Sequence, residues 1–304
     1  MKENFHQVSS YKVSSEYEGV RLDNCLISRL KGLPRAKIYS IIRRGEVRVN
    51  KSRCKPSYRL KLEDVIRIPP YTSNLKVNKK SSELNKDKLA RAILRKEKDF
   101  LIINKPVGLA CHGGSGISLG LIEIIRQLDK KYAGAQLVHR IDKDTSGCLI
   151  VALKKSILRE FHKEIRNKHV DKIYSAVVKG HWPKDLQNIT LAIKKENLKS
   201  GERFVQVNKQ GKISQTEFEL ISSGKSNSLI RAKIITGRTH QIRVHSSHSG
   251  HPILGDTKYG DPIYNKEQQS KGLKRMLLHA ESINFLNLDI KHSIPIPSIF
   301  KEYV

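Results

Sequence analysis

Apolar residues recur at helical spacing twice near the start of the chain. Leu22, Cys25, Leu26 and Leu30 share one face of a helix opened by Val20-Arg21-Leu22-Asp23. Pro34 then stands where a second helix begins. Ile38, Ile41 and Ile42 repeat on its inner side, and Arg35, Lys37, Arg43 and Arg44 take the outer side. Gly45 ends that helix, Val47-Arg48-Val49-Asn50 alternates as a strand, and Asp64-Val65-Ile66-Arg67-Ile68 reads as another strand stopped by Pro69-Pro70. Residues 19–70 are therefore expected to form a small basic unit behind an N-terminal extension, 1–18. Residues 71–90 are polar, rich in Lys, Asn and Ser, and nearly free of apolar periodicity, which predicts a linker. From 91 to 304, short β-branched runs at 92–94, 100–103, 148–152, 174–178 and 229–235 alternate with helical stretches at 117–128 and 156–167. That interleaving predicts a mixed α+β domain.

Charge narrows the partner. The chain carries 58 Lys+Arg against 29 Asp+Glu, a formal net charge of +29. An excess of that size attracts a phosphate backbone regardless of sequence, and the attraction weakens steeply with salt. The start, Met1-Lys2-Glu3-Asn4-Phe5-His6, has no apolar signal segment, and no run reaches membrane-spanning length, so a soluble, cytoplasmic protein is expected. Cys25, Cys54, Cys111 and Cys148 lie far apart with no Cys-x-x-Cys pair, and read as free thiols.

The stretch His139-Arg140-Ile141-Asp142-Lys143-Asp144-Thr145-Ser146-Gly147 is the most informative. Asp142 is flanked by Arg140 and Lys143, and nearby positive charge favours the ionised form, suiting it to act as a nucleophile rather than a proton donor. The same spacing also describes a surface ion pair capping a turn. Asp144 has similar neighbours. In Thr236-Gly237-Arg238-Thr239-His240-Gln241-Ile242-Arg243-Val244-His245, Thr239 suits an N-cap and Gly250 a helix end, so 240–249 should be helical. One face then carries His240, Arg243 and Ser247, with Ile242 on the other. His240, His245, His248 and His251, with Asp256 nearby, raise the question of a metal. They lack the His-x-x-x-His spacing or a Glu at fixed offset, so no metal is expected, and these histidines should pack the loop and contact phosphate. Gly113, Gly114 and Gly116 suit a tight turn or a close approach to phosphate. Tyr174 opens an apolar strand and could be core or site.

The nine residues 139–147 resemble the catalytic loop of the RluA-type pseudouridine synthases, which isomerise uridine in RNA. Asn104-Lys105-Pro106 with His112-Gly113, Lys172-Ile173-Tyr174 and the segment 236–245 are similar to further motifs of that family, and the resemblance spans roughly residues 19–285. The unit 19–70 resembles the S4 RNA-binding domain. The resemblance implies a mainly antiparallel catalytic sheet, Asp142 as nucleophile, Arg243 as its ion-pair partner, and Tyr174 stacked on the base. The target base would be flipped out, with Arg140 filling the vacated space. His139, Arg140, Arg238, His240, Arg35, Lys37 and Arg43 are the expected RNA contacts. No cofactor is implied, because isomerisation transfers nothing from outside.

Segments 113–118, 195–203 and 272–280 are similar to a branch acting on 23S ribosomal RNA, free or in the assembling large subunit, with a monomer expected. One departure is Leu286-Asn287, where that branch carries a His-Pro turn. Two other readings stay open here: an inactive RNA-binding assembly factor, and a synthase acting on transfer RNA.

Overall fold

All seven apolar positions assigned to the inner faces of the first two helices are buried, from Leu22 through Ile42. The computed structural model describes residues 2–5, 7–30, 33–74, 81–113, 119–197 and 203–304, and its packing divides into two units, Met1–Lys79 and Lys80–Val304. In the first unit, β1 (Lys2–Phe5), β2 (Ser9–Lys12), α1 (Leu22–Arg29), α2 (Arg35–Arg43), β3 (Arg48–Val49), β4 (Val65–Ile68) and β5 (Tyr71–Asn74) follow in order. The sheet β2-β4-β3 covers the helices, and β1 pairs with β5. Two buried carboxylates brace this small core. Asp23 takes Arg21 in a two-pronged contact and the Tyr39 hydroxyl, and Asp64 takes Asn50, Tyr58 and the Lys61 amide. The segment expected to be an N-terminal extension thus supplies β2 to the sheet.

The second unit runs α3 (Glu83–Arg91), β6 (Ile93–Lys96), β7 (Phe100–Lys105), α4 (Leu121–Leu128), β8 (Gln136–Leu137), β9 (Ser146–Ala152) and α5 (Lys155–Arg166). It continues with β10 (Val170–Lys179), β11 (Asn188–Asn197), β12 (Arg203–Val207), β13 (Lys212–Ser223), β14 (Asn227–Ile234), α6 (Gln241–His248), α7 (Pro262–Ser270), β15 (Leu278–Phe285) and β16 (Ile290–Ser293). The expected linker 71–90 differs from the structure at both ends. Residues 71–74 form β5, and α3 follows Ser82, whose hydroxyl caps it, and packs on α4 through one buried residue, Leu89. A single inward leucine is too weak a period to read as a helix. Residues 75–80 lie outside the described residues, as do 114–118 of the glycine-rich turn and 198–202.

The strands form one sheet in the order β12-β11-β13-β14-β10-β15-β9-β7-β6, with β8 and β16 pairing beside it. Every pairing is antiparallel except β9 with β15, which touch in parallel at only two registers, Ser146 to His279 and Gly147 to Ala280. β9 is buried along its whole length, as its continuous apolar run requires. Phe161 of α5 packs edge-on against Phe100 and Phe285. At the departure noted above, Asn287 bonds to Glu164 and His169 and so fixes the turn into β16.

The parallel contact is made by backbone. Gly147 has φ +112°, and a methyl group there would lie 2.3 Å from the Ala280 carbonyl oxygen. Two buried imidazoles brace the sheet, one at this junction and one where α6 packs on β13. His279 bonds Ser146 Oγ at 2.8 Å and His245 bonds Ser214 Oγ at 2.7 Å. Burial, together with Arg275 for His279 and His248 for His245, pushes each pKa down to about 4.

Gly147→Ala should lower unfolding stability by roughly 2–4 kcal/mol, since both the left-handed backbone and the contact with Ala280 oppose a side chain; urea unfolding against wild type checks this. Acid should also destabilise the fold before its carboxylates titrate. His245 and His279 stay neutral when folded but bind protons near pH 6.5 when unfolded. Their stabilisation is therefore complete above pH 6.5 and lost as pH falls toward 4, by about 2 kcal/mol each at pH 5. A urea midpoint that stays flat between pH 7 and pH 5 would contradict this.

Candidate active site

The loop that carries Asp142 is tied down by its backbone. The Thr145 amide bonds the Asp142 carbonyl, and the Lys143 carbonyl accepts both the Gly108 amide at 2.9 Å and the Lys105 ammonium at 3.0 Å. Lys105 is fully buried, and its ammonium also reaches the Pro106 and Leu109 carbonyls at 2.8 Å. Burial pushes its pKa down to about 8, with nearby Cys111 and the two loop carboxylates opposing that shift. His139, expected to meet RNA, instead turns inward: its Nε2 accepts the Ile150 amide of β9 at 3.2 Å. Burial and the charge of Lys172 push its pKa down to about 3. It is neutral at physiological pH and offers no charge to a phosphate.

Opposite this loop, α6 presents Arg243. Its Nε and Nη2 form a fork on Asp256 at 2.7 and 2.8 Å, and Nη1 reaches Asp142 Oδ2 at 3.2 Å. Asp256 is buried and also accepts the Lys258 and Tyr259 amides. Burial works against a charged guanidinium here, but the bonds and charges of Asp256 and Asp142 outweigh it and hold the Arg243 pKa above its ordinary value. For Asp256 burial is likewise outweighed, by Arg243 and the two amides, and its pKa is lowered. The cation beside Asp142 thus comes from a helix 101 residues away. Arg140 and Lys143, the sequence neighbours, are exposed, and neither is ion-paired to Asp142. Among the described residues no hydrogen bond reaches Asp142 Oδ1.

The helix starts one residue later than the spacing predicts. Thr239 is not its cap; His240 is, at φ +53° and ψ 23°, with no side-chain cap bond. Gln241 ties the preceding loop to the first turn, accepting the Arg238 amide and the Thr236 hydroxyl through Oε1. The predicted face His240, Arg243, Ser247 exists, and all three residues meet Tyr259. His240 Nδ1 lies 2.8 Å from its hydroxyl, Arg243 sits over its ring, and Ser247 donates to its carbonyl. His240 is pushed down in pKa by burial, against the pull of Asp142, and its Nε2 stands 3.8 Å from Asp142 Oδ2. Like His139, it carries no charge toward a phosphate at neutral pH. His251 bonds the Lys179 carbonyl. Among the described residues no group of three His, Cys, Asp or Glu side chains is placed to hold a metal.

Tyr174 lies on β10 beside a bulge, paired with Ala232 and Ala280. It is nearly buried, its hydroxyl is unbonded among the described residues, and burial, then the charge of Asp142, raises its pKa well above the usual phenol range. Arg140 and Arg238 are exposed; among the described residues Arg140 makes no ion pair and Arg238 only a long contact to the Ile213 carbonyl. In the first unit, Arg35, Lys37 and Arg43 stand exposed on α2 with no ion pair among the described residues. Sequence reasoning missed Tyr259 and the anchoring roles of Lys105 and Asp256. The one signal was the run Gly255-Asp256-Thr257-Lys258-Tyr259-Gly260, an acid and an aromatic between glycines.

Comparison with known proteins agrees with this arrangement. Residues 99–248 match the family described as RNA pseudouridylate synthase, and 20–66 match the S4 domain. The chain is 45% identical over 280 residues to ribosomal large subunit pseudouridine synthase C of Pasteurella multocida, covering 91% of this chain and 86% of that one. It is 42% identical over 289 residues to the protein of that name from Escherichia coli, covering 94% and 91%. Among solved structures, human RNA pseudouridylate synthase domain containing 4 is 25% identical with a TM-score of 0.59, over 72% of this chain and 94% of that one. An S4 domain followed by this sheet, with Asp142 in its loop and relatives of such identity along nearly the whole chain, has one reading: the chain belongs to the RluA-type family of RNA pseudouridine synthases.

Proposed function

We propose that this chain isomerises specific uridines of 23S ribosomal RNA to pseudouridine, with Asp142 as the nucleophile. The observation that carries the reading is the shared guanidinium of Arg243, which holds Asp142 through one oxygen only. A carboxylate fixed at Oδ2 and free at Oδ1 is oriented yet still able to form a bond. The name of these relatives, ribosomal large subunit pseudouridine synthase C, supports large-subunit ribosomal RNA as the substrate.

The chemistry balances without an added group. Oδ1 attacks C1′ and the bond from C1′ to N1 breaks, so the electron pair leaves with the uracil. The ring turns, and C5 attacks C1′ and displaces the carboxylate. The proton on C5 is lost and N1 gains one. Arg243 keeps Asp142 aimed and steadies its charge as it leaves C1′. Tyr174, held as a neutral phenol, offers its ring face to the base, and its hydroxyl can relay the C5 proton by giving up its own. A stacked uridine must leave the helix to reach Asp142, and exposed, unpaired Arg140 suits the space it vacates. The exposed cations Arg35, Lys37 and Arg43 supply sequence-independent attraction to phosphate.

Asp142→Asn should reduce pseudouridine formation on unmodified 23S RNA by roughly 10³-fold or more, because it removes the attacking group. Asp144→Asn should leave it intact. Carbodiimide labelling with primer extension reads both and gives the sites; tight, salt-sensitive binding without any new stop on ribosomal RNA would leave only an assembly factor, and stops confined to transfer RNA would move the substrate. Replacing Arg35, Lys37 and Arg43 together by alanine should weaken RNA binding and lower the slope of log K against log salt by about 2–3. The rate at saturating RNA should not change. An unchanged slope in a salt titration would exclude this face.

A further inference from the structure

His240 occupies a backbone conformation that non-glycine residues rarely adopt, at φ +53°. Nothing in helix capping explains it, since its side chain makes no cap bond. Its ring is instead held at Nδ1, 2.8 Å from Tyr259 Oη, and turns Nε2 toward Asp142 Oδ2 at 3.8 Å. Tyr259 is itself held at four points. Its amide bonds Asp256, its carbonyl accepts Ser247, its ring lies against Phe204 and beneath Arg243, and its hydroxyl accepts the Val205 amide at 3.0 Å. A residue so constrained cannot follow the histidine; the histidine follows it.

We infer that Tyr259 and His240 are a positioning pair for Asp142, in which the Tyr259 hydroxyl fixes the tautomer of His240 and His240 Nε2–H steadies the carboxylate oxygen already held by Arg243. This rests on the reading of Asp142 as nucleophile.

The tautomer follows from counting protons. Tyr259 Oη takes the Val205 N–H on a lone pair and has one proton of its own to give. The acceptor within reach is His240 Nδ1, so the imidazole proton sits on Nε2, toward Asp142. Burial pushes the Tyr259 phenol up to about 12, so it keeps the proton it donates. Burial also keeps His240 neutral, so the pair adds a directed donor without a second full charge beside Arg243. At 3.8 Å the Nε2 contact is longer than a hydrogen bond, as such contacts often are before substrate closes the site. Both donors then converge on Oδ2, which leaves Oδ1 as the attacking atom. The strained backbone of His240 is the price of bringing one ring within reach of both partners.

The test compares Tyr259→Phe, His240→Gly and His240→Asn with wild type and Asp142→Asn. Single-turnover rate at saturating 23S fragment, RNA affinity and thermal unfolding are measured for each. Tyr259→Phe deletes one oxygen and should slow the chemical step by about 10–100-fold, the scale of a misaimed reacting group, with affinity unchanged. His240→Gly should slow it similarly while the melting temperature holds or rises, because glycine relaxes at φ +53°. His240→Asn, which tolerates that backbone and keeps a donor, should recover part of the rate. The double variant Tyr259→Phe/His240→Gly should be no slower than His240→Gly alone, since both act through one ring.

Full activity in Tyr259→Phe would overturn the proposal. So would a loss of affinity at unchanged saturated rate, which would make His240 an RNA contact. Parallel losses of rate and melting temperature with no rescue by asparagine would also overturn it, as a purely structural role. Activity retained by Asp142→Asn would instead bring down the nucleophile reading itself.

Discussion

One buried guanidinium serves two carboxylates, and the site depends on how it divides itself between them. Arg243 gives its two-pronged fork to Asp256 and a single nitrogen to Asp142. The division follows burial. Asp256 has a side chain only 1% exposed and would be very costly to leave unpaired, whereas Asp142, at 27%, still meets solvent. One positive charge cannot fully compensate two negative ones, so the incomplete compensation falls on Asp142, the proposed nucleophile. A lysine could not replace Arg243, because a point charge lacks the planar fork that fixes one partner while leaving a nitrogen for the other.

That charge arrangement is useful only if the Asp142 loop stays in place, and the loop is held by backbone. Lys105 and Gly108 converge on the Lys143 carbonyl. Beyond it, Gly147 brings β9 into its brief parallel contact with β15, where no side chain fits. The same junction carries Ser146, which bonds both His279 and Arg275. The join between the two halves of the sheet therefore lies four to five residues from Asp142. Strain in one is felt in the other, because packed interiors yield little.

Much of this was legible in the sequence, and the limits have physical causes. The first two helices could be read from Leu22, Cys25, Leu26, Leu30, Ile38, Ile41 and Ile42 because each has one apolar face against water. β9 could be read because it is apolar throughout. β13 could not: its inward residues Ser214, Thr216 and Phe218 are mostly hydroxyl-bearing, and are buried because His245, Gln241 and the Leu191 carbonyl satisfy them. Polar residues that bond one another in the interior leave no hydrophobic period. Within the site, Asp142 and Arg243 were found by their motif. His139 and His240 were expected on the RNA from their motifs, and burial, which no local pattern reveals, leaves both uncharged. Tyr259 has no local signature beyond its glycine-flanked run, since what marks it is contact with His240, Arg243 and Ser247, which share a face only once α6 has formed.

The cations of the catalytic unit sort the same way. Arg231 is spent on Glu219 and Glu281, Lys233 on Asp171, Lys179 on Asp261, and Arg243 on Asp256 and Asp142. Those charges shape the sheet and the site and are hardly available to a phosphate. Arg35, Lys37 and Arg43 on α2 carry no such partner among the described residues. On the proposed reading, affinity and chemistry thus draw on different kinds of charge. Exposed unpaired cations act at long range and are screened by salt, whereas a paired guanidinium inside the protein acts at 3.2 Å and is screened little. Raising ionic strength should therefore release RNA without disarming Asp142. A net charge of +29 is compatible with a catalytic centre whose buried guanidinium is matched by carboxylates because the two are separate physical problems.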